Sequence, residues 1–361
     1  MKINEKAEKI IKMMNDAGEK AYCVGGCVRD ILLGKEPHDF DICTSAHPEK
    51  TEEILKEFPV IETGIKHGTV TVLVDGEPFE ITTWRIDGKY SDNRRPENVT
   101  FTPSLEEDLK RRDFTINAMA ICLNRNRYGE LTDPFDGCSD IKKQIIRTPS
   151  DPDITFSDDP LRMLRAIRFA TQLDFSIHPD TFEAIKRNAY RIEIVSMERN
   201  IDEINKMMLS SHPSMGFRLL DKSGLLERLF PELVRLKGTE SVGERSHKDN
   251  FKHTLEVLDN ISKKSDDLFL RWAAVLHDIG KPYCKRYDEK TGFSFHGHEL
   301  KGSRMVKSIF RRLKLPLNEK MKYVEKLVSL HLRPIVLAED IVTDSAVRRL
   351  IFDAGDDIDD L

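Results

Sequence analysis

The run of residues 22–42 constrains the fold more than any other part of this sequence. It contains a short apolar stretch, a Gly-Gly pair, a stretch with helical spacing and then His-Asp-Phe-Asp-Ile. This order predicts a strand, a glycine turn, a helix and a second strand that bears Asp39 and Asp41. Because alternate side chains of a strand share one face, the two carboxylates should point the same way, while Phe40 and Ile42 point into a core.

This arrangement also predicts a chemistry. Two neighbouring carboxylates repel each other unless a cation lies between them, and carboxylate oxygens suit a hard divalent ion. The helix that opens at Gly25 and Gly26 presents backbone N–H groups and the positive end of its dipole, and both favour a phosphate. We therefore predict a site for a triphosphate bound through Mg²⁺, with Asp39 and Asp41 as metal ligands and Gly26 beside the nucleotide.

The motif Gly-Gly-Cys-Val-Arg-Asp at residues 25–30, followed by Asp-Phe-Asp at residues 39–41, resembles a known family. It is similar to the class II tRNA nucleotidyltransferases (the CCA-adding enzymes) and to their relatives, the bacterial poly(A) polymerases. The resemblance implies a catalytic head of the DNA polymerase beta type and a transfer that uses two metal ions. The segment Gly-Ile-Lys-His-Gly-Thr-Val at residues 64–70 resembles the CCA-adding pattern more than the poly(A) pattern.

A third carboxylate is expected from a predicted hairpin. Two segments with strand character flank Asp75-Gly76, a pair typical of tight hairpin turns. Glu80, on the second segment, would lie on the face opposite Phe79 and Ile81. We predict that it completes the catalytic carboxylates. The alternative interpretation is an ordinary solvated strand glutamate.

Further nucleotide-binding residues are implied by the resemblance alone. Arg29, in the first turn of the predicted helix, would reach the triphosphate; the alternative is an ordinary arginine on a helix surface. In Arg-Arg-Asp-Phe-Thr-Ile-Asn-Ala at residues 111–118, the resemblance places Arg112 beside Asp113 in contact with the nucleotide and Asn117 near the sugar.

The charged segment at residues 92–97 contains Arg94 and Arg95. We predict a mobile loop there and assign it no role.

Residues 156–170 resemble the helix that selects the nucleotide in the same family, and their chemistry can be argued independently. Pro160 suits the first turn of a helix, and Asp159 and Arg162 are neighbours on one face. A carboxylate only accepts hydrogen bonds and a guanidinium only donates them. This pair matches cytosine and adenine, whereas uracil and guanine would set a carbonyl against the carboxylate at a cost of about 1–3 kcal/mol. Asp159 and Arg162 therefore predict a protein template that selects C and A.

Arg162, Arg165 and Arg168 recur every three residues along this predicted helix. Each step turns the helix by about 60°, so the three form one basic stripe, which we predict to bind nucleotide. The alternative is an ordinary solvated arginine face. Family members often carry glutamate where this chain has Asp158, whose shorter side chain would support the neighbouring arginine less well.

The last third of the chain is rich in histidine and contains a His-Asp pair within Val-Leu-His-Asp-Ile-Gly-Lys-Pro. With histidines before and after it, this pattern resembles the HD family of metal phosphohydrolases. Imidazole and carboxylate ligands suit one or two borderline divalent ions that activate water. The candidate ligands are His253, His277, Asp278, His298, His331 and Asp344. Hydrolase activity and a purely structural role both stay open, and His247 and His296 are interpreted as surface residues.

Composition limits the function classes. The chain of 361 residues carries a net charge of −5, so any nucleic-acid contact must use a local basic surface. No apolar run approaches the roughly 18 residues of a membrane span, and the N-terminal segment lacks the apolar stretch of a signal peptide. The six cysteines include no Cys-x-x-Cys pair, and we expect reduced thiols in a cytoplasmic protein.

Together these features predict an α+β fold with three parts. A nucleotidyltransferase head with a small mixed sheet would occupy residues 1–148. A helical neck that binds RNA would occupy residues 149–242, and a helical HD domain would occupy residues 243–361. Relatives with this pattern usually continue beyond the last residue, so a truncated chain is one interpretation. The sequence does not fix the oligomeric state.

The leading functional hypothesis is template-independent addition of CCA to tRNA 3′ ends from CTP and ATP. A poly(A) polymerase, or an enzyme that adds only CC or only A, is the alternative within the same class. From a different class, the chain would be an HD-type phosphohydrolase acting on RNA or nucleotide phosphates, or an inactive RNA-binding module. The intact pair Asp39 and Asp41 argues against both.

Overall fold

The computed structural model describes residues 4–37, 39–64, 67–87, 99–124, 126–239, 241–242, 245–246, 249–339 and 343–361. The segment 92–97, residues 65 and 66 of the segment 64–70, and His247 lie outside this part of the chain. Two compact units are present. The first contains residues 1–166 and 174–188, and the second contains residues 167–173 and 189–361.

The first unit is built on a mixed sheet. Its strands are β1 (Ala21–Val24), β2 (Asp41–Thr44), β3 (Val60–Gly64), β4 (Thr69–Val74), β5 (Glu77–Thr83), β6 (Arg85–Asp87), β7 (Val99–Phe101), β8 (Ala120–Cys122), β9 (Leu131–Thr132), β10 (Ile145–Ile146) and β11 (Ser176–Ile177). Among the described residues, seven of these strands form one sheet in the order β3-β4-β5-β2-β1-β8-β9, while β6 pairs with β7 and β10 with β11.

Helices surround this sheet and continue the chain. They are α1 (Glu5–Asp16), α2 (Gly26–Leu32), α3 (Pro48–Ile54), α4 (Leu105–Lys110), α5 (Gly137–Lys143), α6 (Pro152–Asp158), α7 (Leu161–Leu173) and α8 (Pro179–Asn188), with a 3₁₀ turn at Thr115–Asn117. Helix α7 contributes residues to both units. The period in α1 explains its packing, because Ala7, Ile10, Ile11 and Met14 lie on one face and are fully buried.

Two local predictions are confirmed. The chain runs from β1 through a turn at Gly25 into α2 and then into β2, which pairs antiparallel with β1. Strands β4 and β5 form an antiparallel hairpin whose two turn residues, Asp75 and Gly76, have φ of 50° and 79°. Both values lie in the left-handed region that this type of tight hairpin turn requires. One detail differs, since β2 begins at Asp41 and Asp39 lies just before it.

The second unit is largely helical. Its helices are α9 (Met197–Met208), α10 (Pro213–Lys222), α11 (Leu225–Leu229), α12 (Pro231–Val234), α13 (Asn250–Ser262), α14 (Leu268–Leu276), α15 (Lys281–Cys284), α16 (His298–Arg312), α17 (Glu319–Leu330), α18 (Arg333–Glu339) and α19 (Asp344–Ala354). Short strands are β12 (Ser241–Val242), β13 (Arg245–Ser246), β14 (Arg286–Asp288) and β15 (Gly292–Ser294), and 3₁₀ helices cover Ala189–Ile194 and Gly355–Asp360.

Two adjacent residues of α14 organise the core of the second unit. Trp272 is fully buried, its indole N–H donates to the Asn205 side chain at 2.9 Å, and its ring packs against Phe310. Arg271 is only 1% exposed and donates hydrogen bonds to the backbone carbonyl groups of Met208 and Ser210. The guanidinium thus satisfies buried carbonyl groups that would otherwise be unpaired at the end of α9.

The predicted fold class is confirmed: a mixed sheet with helices precedes a helical region. All six cysteines are free thiols. None of the described helices is long and apolar enough to cross a membrane.

Candidate functional site

Three carboxylates lie near one another in the first unit, and we call Asp39, Asp41 and Glu80 the carboxylate edge. Strand β2 runs parallel to β5, and Ile42 lies opposite Ile81. Asp41 and Glu80 each come one residue before this pair, so they are also neighbours. All three carboxylate residues are exposed, whereas Phe40 alternates with them and is buried. The alternation that the sequence predicts for Asp39 and Asp41 therefore holds, and Glu80 takes the position expected of it.

The electrostatics of the carboxylate edge indicate crowded negative charge. Surrounding protein atoms raise the pKa of Asp41, Arg112 opposes this shift, and Asp39 adds to it. Partial burial likewise raises the pKa of Glu80, and both aspartates reinforce the shift. The oxygens of the three groups do not all lie within 4.8 Å of one another. Oxygen donors that repel one another around a shared space fit a Mg²⁺ ion.

The turn before α2 explains why glycine precedes this edge. Gly25 has φ of 82°, a conformation that favours glycine, and a Cβ atom there would lie 3.0 Å from a guanidinium nitrogen of Arg112 and 3.7 Å from a carboxylate oxygen of Asp41. Arg112 in turn faces the fully buried Asp108 at 3.6 Å. The turn therefore brings backbone N–H groups, a guanidinium and a carboxylate close together.

Asp113 and Asn117 form a buried junction rather than an exposed surface. The Asp113 carboxylate accepts two hydrogen bonds from Arg165, at 2.8 and 2.6 Å, and others from the Asn117 amide at 3.1 Å and the Phe114 backbone N–H at 2.9 Å. The Asn117 side-chain oxygen accepts a hydrogen bond from Arg29 at 2.9 Å. A continuous chain of hydrogen bonds thus links Arg165 on α7 to Arg29 on α2.

This junction keeps Asp113 ionised. Burial raises its pKa, but the charge of Arg165 and the hydrogen bond from Asn117 outweigh burial and bring the pKa to about 2. Arg29 is held in the same way, because Asp30 accepts from its guanidinium at 2.9 Å. Arg29, Asp113 and Asn117, for which the family resemblance implied a place at the nucleotide site, therefore form hydrogen bonds with other residues of the protein.

The predicted base-selecting pair lies at the start of α7. Asp159 lies between α6 and α7, its carboxylate accepts from the Leu161 N–H at 3.1 Å, and its backbone carbonyl accepts from the Arg162 N–H at 3.0 Å. The Arg162 guanidinium donates to the Arg111 carbonyl at 2.9 Å. Asp159 therefore caps the helix that carries Arg162, and the two side chains start from the same turn.

The predicted basic stripe is divided among protein partners. Arg165 binds Asp113, as described above, and Arg168 donates to Glu203 at 2.6 Å within the second unit. Asp158 and Arg162 instead line a cavity of about 270 Å³ with Lys110 and Arg111. The structure therefore does not present Arg162, Arg165 and Arg168 as one continuous solvated face.

The second unit contains a histidine cluster around one carboxylate. The Asp278 oxygens lie 3.2 Å from Nε2 of His277, 3.2 Å from Nε2 of His298, and 3.8 Å from Nε2 of both His253 and His331. We call these five residues the histidine cluster. Asp344, the sixth candidate, begins α19, is exposed, and belongs to neither group of closely spaced ligands. His296 is exposed, as expected of a surface residue.

Backbone carbonyl groups set the protonation pattern of the cluster. Nδ1 of His277, His298 and His331 lies 2.8 Å from the carbonyl oxygen three residues earlier in each case. A carbonyl only accepts, so each Nδ1 donates its proton to that carbonyl group, and each Nε2 is turned toward Asp278. Nε2 of His298 and of His331 is buried and makes no hydrogen bond within the described part of the chain. Ring nitrogens that converge on one carboxylate fit a divalent metal ion.

The pKa values agree with this interpretation. Burial lowers the pKa of His331 to about 4 and, with His277, lowers that of His253, so both rings are neutral near pH 7. Burial raises the pKa of Asp278, but His277 and His298 outweigh it and hold the pKa well below the usual range. Four nitrogen donors and one carboxylate favour divalent transition-metal ions such as Zn²⁺ or Mn²⁺ over Mg²⁺.

Two residues of the His-Asp-Ile-Gly-Lys motif acquire roles that sequence reasoning missed. Lys281 places its ammonium group 2.6 Å from Asp278, three residues earlier on the same helical turn. A Cβ atom at Gly280 would overlap the carbonyl oxygen of His298, so glycine allows α16 to approach the cluster. The spacing Asp278 to Lys281 could have indicated the first contact, since residues three apart are helical neighbours.

Family models match three successive parts of this chain. The model described as poly A polymerase head domain matches residues 21–147, and the one described as probable RNA and SrmB-binding site of polymerase A matches residues 174–236. The HD domain model matches residues 250–354.

Individual proteins agree with these matches. The CCA-adding enzyme of Lactobacillus helveticus (strain DPC 4571) is 47% identical over 222 residues, which cover 62% of this chain and 54% of that protein. The CCA-adding enzyme of Lactobacillus delbrueckii subsp. bulgaricus (strain ATCC 11842) is 41% identical over 279 residues, which cover 77% of this chain and 65% of that protein. This chain thus spans between about half and two thirds of the length of these relatives.

A solved structure extends the similarity to nearly the whole chain. The crystal structure of the Bacillus stearothermophilus CCA-adding enzyme in complex with CTP has a TM-score of 0.70 and 32% sequence identity. The similarity covers 97% of this chain and 74% of that one.

The buried junction gives a pH-dependent prediction. The pKa of Asp113 is about 2 in the folded protein, below the ordinary value of about 3.9. Its ionised form therefore stabilises the fold fully above about pH 5, and this contribution is lost as the pH falls toward 2. Asp113→Asn should lower the free energy of unfolding by about 1–3 kcal/mol at pH 7, and the difference from the unmodified protein should shrink by pH 3.5.

Urea unfolding of the full chain at several pH values measures this difference. Asp153→Asn is the matched control, because Asp153 pairs with Arg187 on an exposed surface and should contribute little at any pH. A difference for Asp113→Asn that does not change with pH would contradict the assignment.

Proposed function

Because the chain belongs to the family of CCA-adding enzymes, we propose that it adds CCA to tRNA 3′ ends from CTP and ATP by Mg²⁺-dependent nucleotidyl transfer. The observation that carries this proposal is the carboxylate edge of Asp39, Asp41 and Glu80 beside the Gly25 turn. We further propose the division into a head at residues 1–148, a neck at 149–242 and an HD domain at 243–361. A cytoplasmic location is part of the same proposal.

In the head, the residues have separable roles. Asp39, Asp41 and Glu80 would hold the Mg²⁺ ions, which when bound activate the attacking 3′-hydroxyl group and neutralise the triphosphate. Arg112, which lies against Gly25 and lowers the pKa of Asp41, provides positive charge on the side where the triphosphate would lie. The N–H groups at the start of α2, with Gly26 first, face an anion favourably.

The remaining residues of the head would fix the nucleotide in place. Arg29 would approach the phosphates in an orientation set by Asn117 and Asp30. Asp113 would act through Arg165, which it holds with two hydrogen bonds. Arg168, further along α7, would be held in place by Glu203.

Base selection would come from Asp159 and Arg162. Their common origin at the start of α7 supports an acceptor beside a donor, the pattern complementary to cytosine and adenine. Addition of only CC, of only A, or of a poly(A) tail would use the same residues. Sequencing the product made from a tRNA without its 3′ end, with CTP and ATP supplied singly and together, separates these outcomes.

The histidine cluster supports a second function, a metal-dependent phosphohydrolase. His253, His277, Asp278, His298 and His331 would hold a borderline divalent ion, which when bound activates a water molecule. The buried, unpaired Nε2 atoms of His298 and His331 are the observation that favours this function over a purely structural role. Lys281 is positioned to hold a phosphate oxygen, because its ammonium group borders the same carboxylate.

Asp41→Ala should abolish nucleotide addition and leave tRNA binding nearly unchanged. The carboxylate would serve the metal ion, whereas RNA affinity depends on cationic contacts with phosphates and should fall with salt in both proteins. Incorporation of labelled CMP and a filter-binding assay measure the two properties. Asp16→Ala, an exposed change at the end of α1 in the same head, is the control and should retain activity. Addition that survives in Asp41→Ala would refute the carboxylate assignment.

Asp159→Ala should weaken the selection of CTP and ATP before it stops catalysis. Loss of the acceptor removes the penalty against uracil and guanine, worth about 1–3 kcal/mol, so misincorporation should rise by roughly 5- to 150-fold. Single-turnover incorporation of the four nucleotides measures the ratio. Asp153→Ala, on the exposed side of α6, is the control. Unchanged discrimination in Asp159→Ala would show that other groups read the base.

His277→Ala should remove Mn²⁺ binding by the second unit and any Mn²⁺-dependent phosphatase activity, while nucleotide addition continues. The reason is that its Nε2 lies 3.2 Å from Asp278 within the cluster. Calorimetric titration with Mn²⁺ and phosphate release provide the measurements. His296→Ala, an exposed histidine outside the cluster, should behave as the unmodified protein. Mn²⁺ binding that persists unchanged in His277→Ala would contradict the metal assignment.

A further inference from the structure

A cavity of about 420 Å³ opens from the histidine cluster within the second unit. His253, His277, Asp278, Lys281 and His331 line one end. Apolar side chains line most of the remaining wall, and they include Val257, Ile261, Ala273, Leu327 and Ile335. A cavity with apolar walls and a few convergent polar groups at one end is the usual form of a small-molecule site.

The apolar wall continues the faces of the helices that carry the cluster. His253, Val257 and Ile261 are spaced four residues apart on α13, so they share one face. Leu327 and His331 have the same spacing at the end of α17. A molecule held at the cluster therefore meets apolar side chains as soon as it extends along these helices.

Two alanines keep this space open. Ala273 and Ala274 of α14 line the cavity, and both are more than nine-tenths buried. His277 follows directly after the last residue of α14. Larger residues at the two alanine positions would fill the cavity beside the metal ligands.

The charge of the lining limits what the cavity accepts. Lys281 is the single lysine or arginine among the lining residues that the structure describes, and Asp360 adds a negative charge. One phosphate group can be balanced by Lys281 and a bound cation. A triphosphate or an RNA strand would bring further negative charges that meet apolar side chains and Asp360, at a desolvation cost.

We propose that this cavity binds the uncharged, largely apolar group of a small phosphate monoester, whose phosphate lies at the histidine cluster and Lys281. The inference rests on the proposed phosphohydrolase function and names its substrate class. In the reaction, a water oxygen forms the new bond to phosphorus and the ester P–O bond breaks. The departing alkoxide takes up the proton that the attacking water loses, so the products are inorganic phosphate and the apolar alcohol.

Binding of non-hydrolysable phosphonates to the Mn²⁺-loaded full chain tests the proposal without reference to activity. Benzylphosphonate and methylphosphonate carry the same charged group and differ only in the apolar part. Isothermal titration calorimetry should show that benzylphosphonate binds about tenfold more tightly or better, because the ring leaves water for the cavity. Titration of Mn²⁺ alone comes first and measures the metal site.

Variants of the wall locate the bound ring. Ala273→Leu should bring the affinity for benzylphosphonate down to that for methylphosphonate, while Mn²⁺ affinity stays the same. Ile335 is 53% exposed, so the Ile335→Ala variant should fold normally. This variant should weaken benzylphosphonate binding about two- to threefold. Val336→Ala is the matched control, since Val336 is 54% exposed on the next position and does not line the cavity.

The outcomes separate the two proposals. Equal affinity for the two phosphonates in a protein that binds Mn²⁺ would overturn the cavity inference and leave the phosphohydrolase in place. A preference for benzylphosphonate that neither Ala273→Leu nor Ile335→Ala reduces would also overturn it, because the ring would then bind elsewhere. A chain that binds no Mn²⁺ would refute the phosphohydrolase and, with it, the inference.

Discussion

Repulsion among the carboxylates of Asp39, Asp41 and Glu80 is the constraint on which the head of this protein depends. The sheet fixes Asp41 and Glu80 on parallel neighbouring strands, and each raises the energy of the other's ionised form. Such an arrangement is costly unless a cation compensates for it. The turn at Gly25 is electropositive instead, because N–H groups and the Arg112 guanidinium lie there, beside the carboxylate edge. The magnesium-bound triphosphate that we propose would satisfy both halves at once.

The two units therefore offer different donors to metal ions. The carboxylate edge supplies oxygen atoms alone, and its members are exposed and do not all lie within 4.8 Å of one another. The histidine cluster supplies four nitrogen atoms around one buried carboxylate, and backbone carbonyl groups fix three of the rings. Hard ions should consequently prefer the carboxylate edge, and borderline ions should prefer the histidine cluster. The two metal-dependent chemistries proposed for this chain would therefore not compete for one ion.

Periodicity and motif order predicted much of this architecture. The alternation around Phe40 placed Asp39 and Asp41 on one face, the Asp75-Gly76 pair predicted the hairpin, and the His-Asp pair predicted the cluster. These features depend on local geometry, which the sequence encodes directly. The partners of Asp113 and Arg168 could not be predicted, because Arg165 and Glu203 reach them through tertiary packing. Asp344 has a suitable side chain, yet the fold places it outside the cluster.

The junction at Asp113 shows how a buried charge can orient other groups as well as stabilise the fold. A buried ion pair loses hydration on both partners, which offsets part of its contribution to stability, and its directional hydrogen bonds fix the positions of the partners. Here one carboxylate orients Arg165 on α7 and, through Asn117, Arg29 on α2. The first helix begins at the residues proposed to read the base, and the second begins at the turn proposed to hold the phosphates. A shift at either end must therefore strain the same hydrogen bonds, so the base and the triphosphate of one nucleotide would be positioned together.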